Sequence, residues 1–157
     1  MPKREIKFCF LAEPTDVNFG GKVHGGAVMK WIDQASYACA SSWCGEYAIT
    51  VYVGGIRFLA PIKIGDLVEI DAKIIYTGNS SMHIAVDVYA KSIKSTKRIK
   101  TTHCIIVFVA VNENNKPVQV PKWIPKTKED KELYTYAVSL MERRKEIDET
   151  MRPYIEN

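Results

Sequence analysis

Long hydrophobic runs are missing from this 157-residue chain. The longest, Cys104 to Val111, falls far short of the roughly 20 apolar residues that a membrane-spanning helix needs. The N-terminal stretch MPKREIKFCFLA is basic, but Lys7 interrupts its apolar part and no secretory hydrophobic region follows. A cytoplasmic protein without a membrane partner is therefore expected. Cysteine is also scarce. Cys9, Cys39, Cys44 and Cys104 form no C-x-x-C pair and sit among apolar neighbours. That pattern argues against a disulfide framework or a metal site, and for cysteines that act as small hydrophobes. An excess charge of one sign is lacking too: a formal net charge of +4 suits an anionic small molecule and is too weak to argue for nucleic acid as a partner. With 46% apolar and 25% charged residues, the composition is that of a globular protein built on one core.

What is present concentrates between Asp16 and Cys44. Four of the nine glycines (Gly20, Gly21, Gly25 and Gly26) lead into a long apolar segment that ends at Gly45. Glycine lets a backbone approach something closely, and the free N–H groups of a helix start favour negative charge or a polarised carbonyl oxygen. On a helical wheel Val28, Ile32, Ala35 and Cys39 form the centre of an apolar face. Trp31, Ala38 and Ala27 flank it on one side, and Met29, Ser36, Ala40 and Trp43 on the other. The polar strip is narrow: Lys30, Gln34, Ser41 and Tyr37, with Asp33 at its margin. Such a helix is expected to be covered on several sides, with Asp33 where buried and open surfaces meet. As a plain surface acid, Asp33 would pair with Lys30 or Tyr37.

Around this helix the chain reads as strands. Residues 4–11 alternate, and after Gly45 come Tyr47 to Phe58, Leu67 to Tyr76, Ser81 to Ala90 and Thr101 to Val111, the last placed centrally because it is apolar on both faces. Gly54-Gly55 marks a bulge or a close approach. Lys91 to Lys100 is a basic loop and 112–126 a proline-containing linker. Thr127 with Asp130 resembles a capping box opening an amphipathic helix on Leu133, Ala137, Leu140, Met141 and Arg144. Strand, helix, then strands in hairpin succession gives an α+β fold, a five- to six-stranded antiparallel sheet around one long helix plus a C-terminal helix. The expected division is a single domain at 1–125 and a helical extension at 126–157.

Five short patterns occur together and in order: Pro14-x-Asp16-x-Asn18; Val23-His24-Gly25-Gly26; Met29-Lys30-Trp31-Ile32-Asp33; Phe58-x-x-Pro61 with Gly65-Asp66; and Gly78-Asn79-Ser80-Ser81-Met82. Over roughly residues 10–112 the chain resembles the hotdog-fold acyl-CoA thioesterases of the YciA and brain acyl-CoA hydrolase type. It lacks the histidine-phenylalanine-proline-glycine loop of hotdog dehydratases and the tyrosine-aspartate turn of the other thioesterase branch. The resemblance implies a homodimer with sheets joined edge to edge and active sites at the interface, often assembled further as a hexamer, a trimer of dimers. It implies Asp33 and Asn18, from opposite protomers, as the catalytic pair.

On this reading acyl-CoA is hydrolysed to coenzyme A and a carboxylic acid without metal or redox cofactor, with Asp33 as general base or nucleophile and Asn18 holding the water or the carbonyl. The Gly25 and Gly26 N–H groups stabilise the oxyanion; their alternative is steric need at a tight helix entry. His24, Asn79, Ser80, Ser81, Lys97 and Arg98 are candidates for contact with coenzyme A. Against these stand ordinary roles: capping or packing for His24, a plain turn for Asn79 to Ser81, a solvated hairpin tip for Lys97 and Arg98. Two other functions share the fold, an acyl-CoA hydratase or dehydratase that uses His24 and a non-catalytic acyl-CoA binding module.

Overall fold

The computed structural model describes residues 2–156, so the outermost residue of each expected unit lies outside them. The elements run β1 (Glu5–Leu11), a 3₁₀ turn (Pro14–Asp16), α1 (Gly25–Cys44), β2 (Tyr47–Phe58), β3 (Leu67–Thr77), β4 (Ser81–Lys91), β5 (Ile99–Val111) and α2 (Lys128–Ile155). The strands form one antiparallel sheet of five, in the order β1-β3-β4-β5-β2. The third and fourth strands each run one residue further than the sequence suggests, and β5 starts two residues earlier, inside the basic loop. Pairing with a neighbour, not side-chain type, sets those ends.

Helix α1 is about 30 Å long and lies along one face of the sheet. Its buried residues are Val28, Ile32, Ala35, Ser36, Cys39 and Ala40, the expected stripe. They meet Ile70, Ile74, Met82, Ile84, Val86, Ile106 and Phe108 in one cluster. Burying a side chain of that size contributes about 1.5–3 kcal/mol. Gly45 ends the helix with φ 70° and its N–H on the Ser41 carbonyl at 2.8 Å. All five strands pack against α1, and the segment after β5 reaches it at Trp43. Met29 and Tyr37 nevertheless stay 44% and 37% exposed within one protomer.

Helix α2 packs on the opposite face of the sheet, where Ala137 joins Ile75, Ala85 and Ile105, with Leu133, Tyr136 and Leu140 around them. Thr127 caps it by accepting the Asp130 N–H at 3.0 Å. The acid of the expected capping box turns elsewhere, to Arg4 at 2.7 Å. A chain of polar contacts fastens the middle of α2: His103 bridges Asp87 and the Tyr136 hydroxyl, at 2.8 Å each. Burial pulls the Asp87 carboxyl upward, but hydrogen bonds from His103 and Lys100 outweigh it and hold the group below its ordinary range.

The segment 112–126 is not a slack linker. Val120 and Trp123 are buried in the α1-side cluster, and the Val120 N–H donates to the Asn79 carbonyl at 2.9 Å. The Trp43 indole N–H donates to the Pro121 carbonyl at 2.8 Å, and the Trp123 N–H to Thr77 Oγ1 at 3.0 Å. The Arg4 guanidinium lies 4.4 Å above the Trp123 ring. Trp123→Ala is accordingly expected to lower stability by about 3–5 kcal/mol in urea unfolding at fixed protein concentration. A change within about 0.5 kcal/mol, as at an ordinary surface position, would return the segment to linker status.

Candidate active site

Asp16 sets the entrance. Its Oδ2 accepts the Glu13 N–H at 3.0 Å, and its carbonyl accepts the His24 N–H at 2.8 Å. Between these points the loop closes on Asn18, whose side-chain oxygen accepts the N–H groups of Gly20 (2.9 Å) and Lys22 (3.2 Å). With that oxygen held by the loop, the Asn18 side-chain NH₂, which makes no hydrogen bond among the described residues, remains as a donor.

Asp33 sits in the third turn of α1, exposed, and its partner is neither Lys30 nor Tyr37. Thr50 on β2 donates its hydroxyl to Asp33 Oδ1 at 2.7 Å. The neighbouring positions explain the reach. Ala48 is buried, Thr50 shares its face by strand alternation, and that face looks toward α1. Thr50 is the residue that sequence reasoning missed. A hydroxyl two residues from the buried Ala48 on the α1-facing side of β2 was its available signal, masked by threonine's ordinary fitness for strands.

Two hollows open at this end of the molecule. One, about 350 Å³, is almost wholly apolar and is lined by Gly26, Met29, Asp33, Val53, Ile56 and Ile106 among others. The other, about 390 Å³, is lined by Asn18, Gly25, Phe58, Pro61 and Thr102 among others. One protomer thus groups Gly26 with Asp33, and Gly25 with Asn18, but no single hollow holds both Asn18 and Asp33.

The two helix-entry glycines have no steric reason within the protomer. A Cβ at Gly25 would touch only the Phe58 ring at ordinary distances, 3.6 and 3.8 Å, and at Gly26 it would meet nothing within 4 Å. Neither has a positive φ. Within one protomer the tight-entry explanation therefore finds no support.

His24 occupies the N-cap position of α1, yet its side chain makes no capping bond and lines neither hollow. The capping role is corrected to a backbone one. Asn79, Ser80 and Ser81 lie at the other end of the sheet. Ser81 pairs with Val109, seven residues along β5 from Thr102, which pairs with Phe58 beside Gly25. Their backbone also serves the fold, since the carbonyls of Asn79 and Ser80 accept the N–H groups of Val120 and Ala110. Lys97 is exposed in the β4–β5 hairpin. Arg98 is occupied, 2.7 Å from Glu69 and stacked 3.8 Å over the Tyr89 ring. None of these six residues lines the hollow beside Asp33 within one protomer. Among the described residues no cluster of three or more His, Cys, Asp or Glu could hold a metal ion, and no helix is long and apolar enough to cross a membrane.

Residues 20–97 match the model of the thioesterase superfamily. The acyl-CoA thioester hydrolase YciA of Salmonella typhimurium is 32% identical over 123 residues, covering 76% of this chain and 92% of its own. A hexameric acyl-CoA thioesterase solved without ligand superposes with a TM-score of 0.87 at 30% identity, covering 90% of this chain and 91% of that one. The chain belongs to the hotdog-fold acyl-CoA thioesterases. The acyl-CoA hydrolase of Staphylococcus aureus, solved with butyryl coenzyme A, coenzyme A and coenzyme A disulfide, matches with a TM-score of 0.89 at 28% identity over 97% of this chain and 93% of that one. That protein was also solved with an asparagine, an aspartate or a threonine changed to alanine. The three changes are spaced along its chain as Asn18, Asp33 and Thr50 are in this thioesterase.

The glycine geometry gives a direct expectation. Gly26→Ala should leave urea stability and oligomeric size unchanged, or raise stability by up to about 1 kcal/mol through lower chain entropy. A clear loss of stability would mean that the bare backbone serves the fold after all.

Proposed function

We propose that this thioesterase hydrolyses acyl-CoA to coenzyme A and a free carboxylic acid, in active sites completed by pairs of subunits. The observation that carries the reading is the pairing of Asp33, held by Thr50 beside Gly26 in an apolar hollow, with an unused Asn18 donor that opens onto a separate hollow. A second copy brings the two hollows together. Its route is the β2 edge. Among the described residues β2 pairs only with β5, it exposes Tyr47, Ile49, Val51, Val53 and Phe58, and it carries no proline or lysine to protect the edge. The minimal unit is a C₂ dimer joined through β2, within a larger oligomer such as the hexamers of the family's solved members.

In the reaction, Asp33 takes a proton from a water molecule as its oxygen attacks the thioester carbonyl. The Thr50 hydrogen bond fixes one carboxylate oxygen and leaves the other to act as base. The oxyanion that forms accepts from the backbone N–H groups at the helix start, Gly25 and Gly26, and from the Asn18 amide of the partner subunit. Collapse of the tetrahedral intermediate breaks the C–S bond, releases coenzyme A as its thiolate, and leaves the carboxylic acid. A thioester is activated enough that one positioned base and fixed donors suffice without metal or redox cofactor. The four free cysteines favour a reducing compartment, the cytoplasm. The exposed His24, which lines neither hollow, gives no support to a hydratase reading.

Two measurements check this. Thiol release from a panel of acyl-CoAs should fall by roughly 10²–10⁴ in kcat for Asp33→Asn and by about tenfold for Thr50→Val, both with native circular dichroism. Full activity in folded Asp33→Asn would sink the mechanism, and turnover of enoyl-CoA without thiol release would favour the hydratase. For the dimer, Asn18→Ala and Asp33→Asn are each expected to be nearly inactive alone. Refolded together at equal amounts they should recover about a quarter of wild-type activity, since statistical pairing leaves one intact site in each mixed dimer. No recovery would place both residues of a site in the same chain.

A further inference from the structure

A third hollow lies on the other face of the sheet, away from Asp33. It measures about 180 Å³ and is enclosed between α2 and strands β2, β4 and β5. Its walls are apolar, with Ile105 and Val107 from the sheet and Leu140 and Met141 from the helix. The β2 wall is held in shape. The Tyr52 ring folds over Gly54, where any side chain would collide with it, and Gly55 turns with φ 62°. The Arg144 guanidinium stacks 4.2 Å above that ring.

Into this apolar space is set one buried polar group. His83 is 5% exposed, meets Tyr76 edge-on at 5.0 Å, and has no hydrogen-bond partner among the described residues. Burial, with the nearby Arg144 charge, pushes its imidazole down to about 4, so the ring is neutral at ordinary pH and offers one unused N–H. The ring makes no bond to the protein and faces the hollow, where a ligand that accepts its N–H would displace solvent. At the rim, Arg143 has no ion pair among the described residues, and Arg144 has one loose carboxylate contact, Asp148 at 3.8 Å. The hollow therefore combines surplus positive charge and a neutral donor with an apolar interior. Its volume is close to that at which an apolar protein cavity accepts a benzene-sized molecule.

We propose that this hollow is a second ligand site, one that takes a monocarboxylate with an apolar tail of about six carbons, its head group held by Arg144 and His83. A carboxylate neutralises the arginine and accepts from the imidazole, while the tail lies against Ile105, Leu140 and Met141. A phosphate group would be poorly served, because the walls beyond those donors are apolar. The ligand belongs to the class of product that thioester hydrolysis releases; in that respect only, the assignment rests on the proposed function, and binding itself needs no turnover.

The test uses the full chain and hexanoate as probe. Calorimetric titration of wild type is expected to give one saturable site per chain, with hexan-1-ol binding at least tenfold more weakly. NMR of the His83 ring should show its titration moving upward by a unit or more when hexanoate is bound, because the anion offsets the Arg144 charge, which Asp148 meets only loosely at 3.8 Å and which Tyr52, Tyr76 and Arg143 do not balance. Arg144→Gln, a change at the rim, should weaken binding at least tenfold, and Leu140→Phe, which fills the space, should abolish it, while thiol release from acyl-CoA stays at the wild-type rate in both. The proposal is overturned if wild type shows no saturable binding, if the alcohol binds as well as the acid, or if binding survives in both variants, which would place it at the Asp33 hollow. Should Leu140→Phe fail to fold, Arg144→Gln and the His83 titration still decide the matter. Failure here leaves thiol release untouched, so the two readings fall separately.

Discussion

The seating of α1 on the sheet is the contact on which the rest of the architecture depends. Val28, Ile32, Ala35 and Cys39 are spaced to put small and branched side chains in one line. Ala35, Cys39 and Ala40 are fully covered and small enough to bring the helix axis near the strands. Everything at the site follows from that fixed line. Gly25 and Gly26 come to one end beside Phe58, Asp33 comes level with Thr50 on β2, and Trp43 comes to the far end, where the 112–126 strap crosses it. A helix displaced by one residue would rotate Asp33 by about 100°, away from Thr50. Register against the sheet therefore also sets the Asp33–Thr50 hydrogen bond.

How much of this could be read from the chain depends on whether a residue's role repeats along it. The α1 stripe repeats every three or four positions, so it was legible, as was Gly45 as a stop; the alternation of β4 marked a half-buried strand, whereas Met82 to Val86 are buried on both faces because α2 covers the second one. The Asp33 position followed from the stripe. The strap did not, because Val120 and Trp123 are buried within a proline-containing segment that has no period. Nor did the Thr50 hydroxyl, which acts once and only across space. For Arg98 the charge run was legible and the partner was not: Arg98 lies in the loop before β5 and Glu69 on β3, and no local pattern announces a contact between such distant segments. Likewise the sequence marks α2 as amphipathic without saying which face of the sheet it will cover.

The sheet keeps its two faces chemically distinct. The α1 side is a continuous apolar cluster with Asp33 at its margin, and on that side Cys39 is raised to about 12 and Cys104 to about 11 by burial. Both thiols are inert there. The α2 side carries the Asp87–His103–Tyr136 chain, His83, and the arginines of the helix. One layer of strands thus separates the face that carries Asp33 from the face that carries these polar groups among the apolar contacts of α2, and β3 packs against both helices.

The pairing of β2 carries a consequence for synthesis. Tyr47 pairs with Val111 and Phe58 with Thr102, so the strand has no partner until dozens of later residues have been made. At ribosomal speeds that interval is on the order of several seconds. Throughout it, a strand rich in Val, Ile and Tyr has both edges open. Even afterwards, among the described residues, β2 pairs with β5 alone and its other edge stays open in the finished protomer. A strand of this composition, open for so long, is the part of the nascent chain most in need of a chaperone.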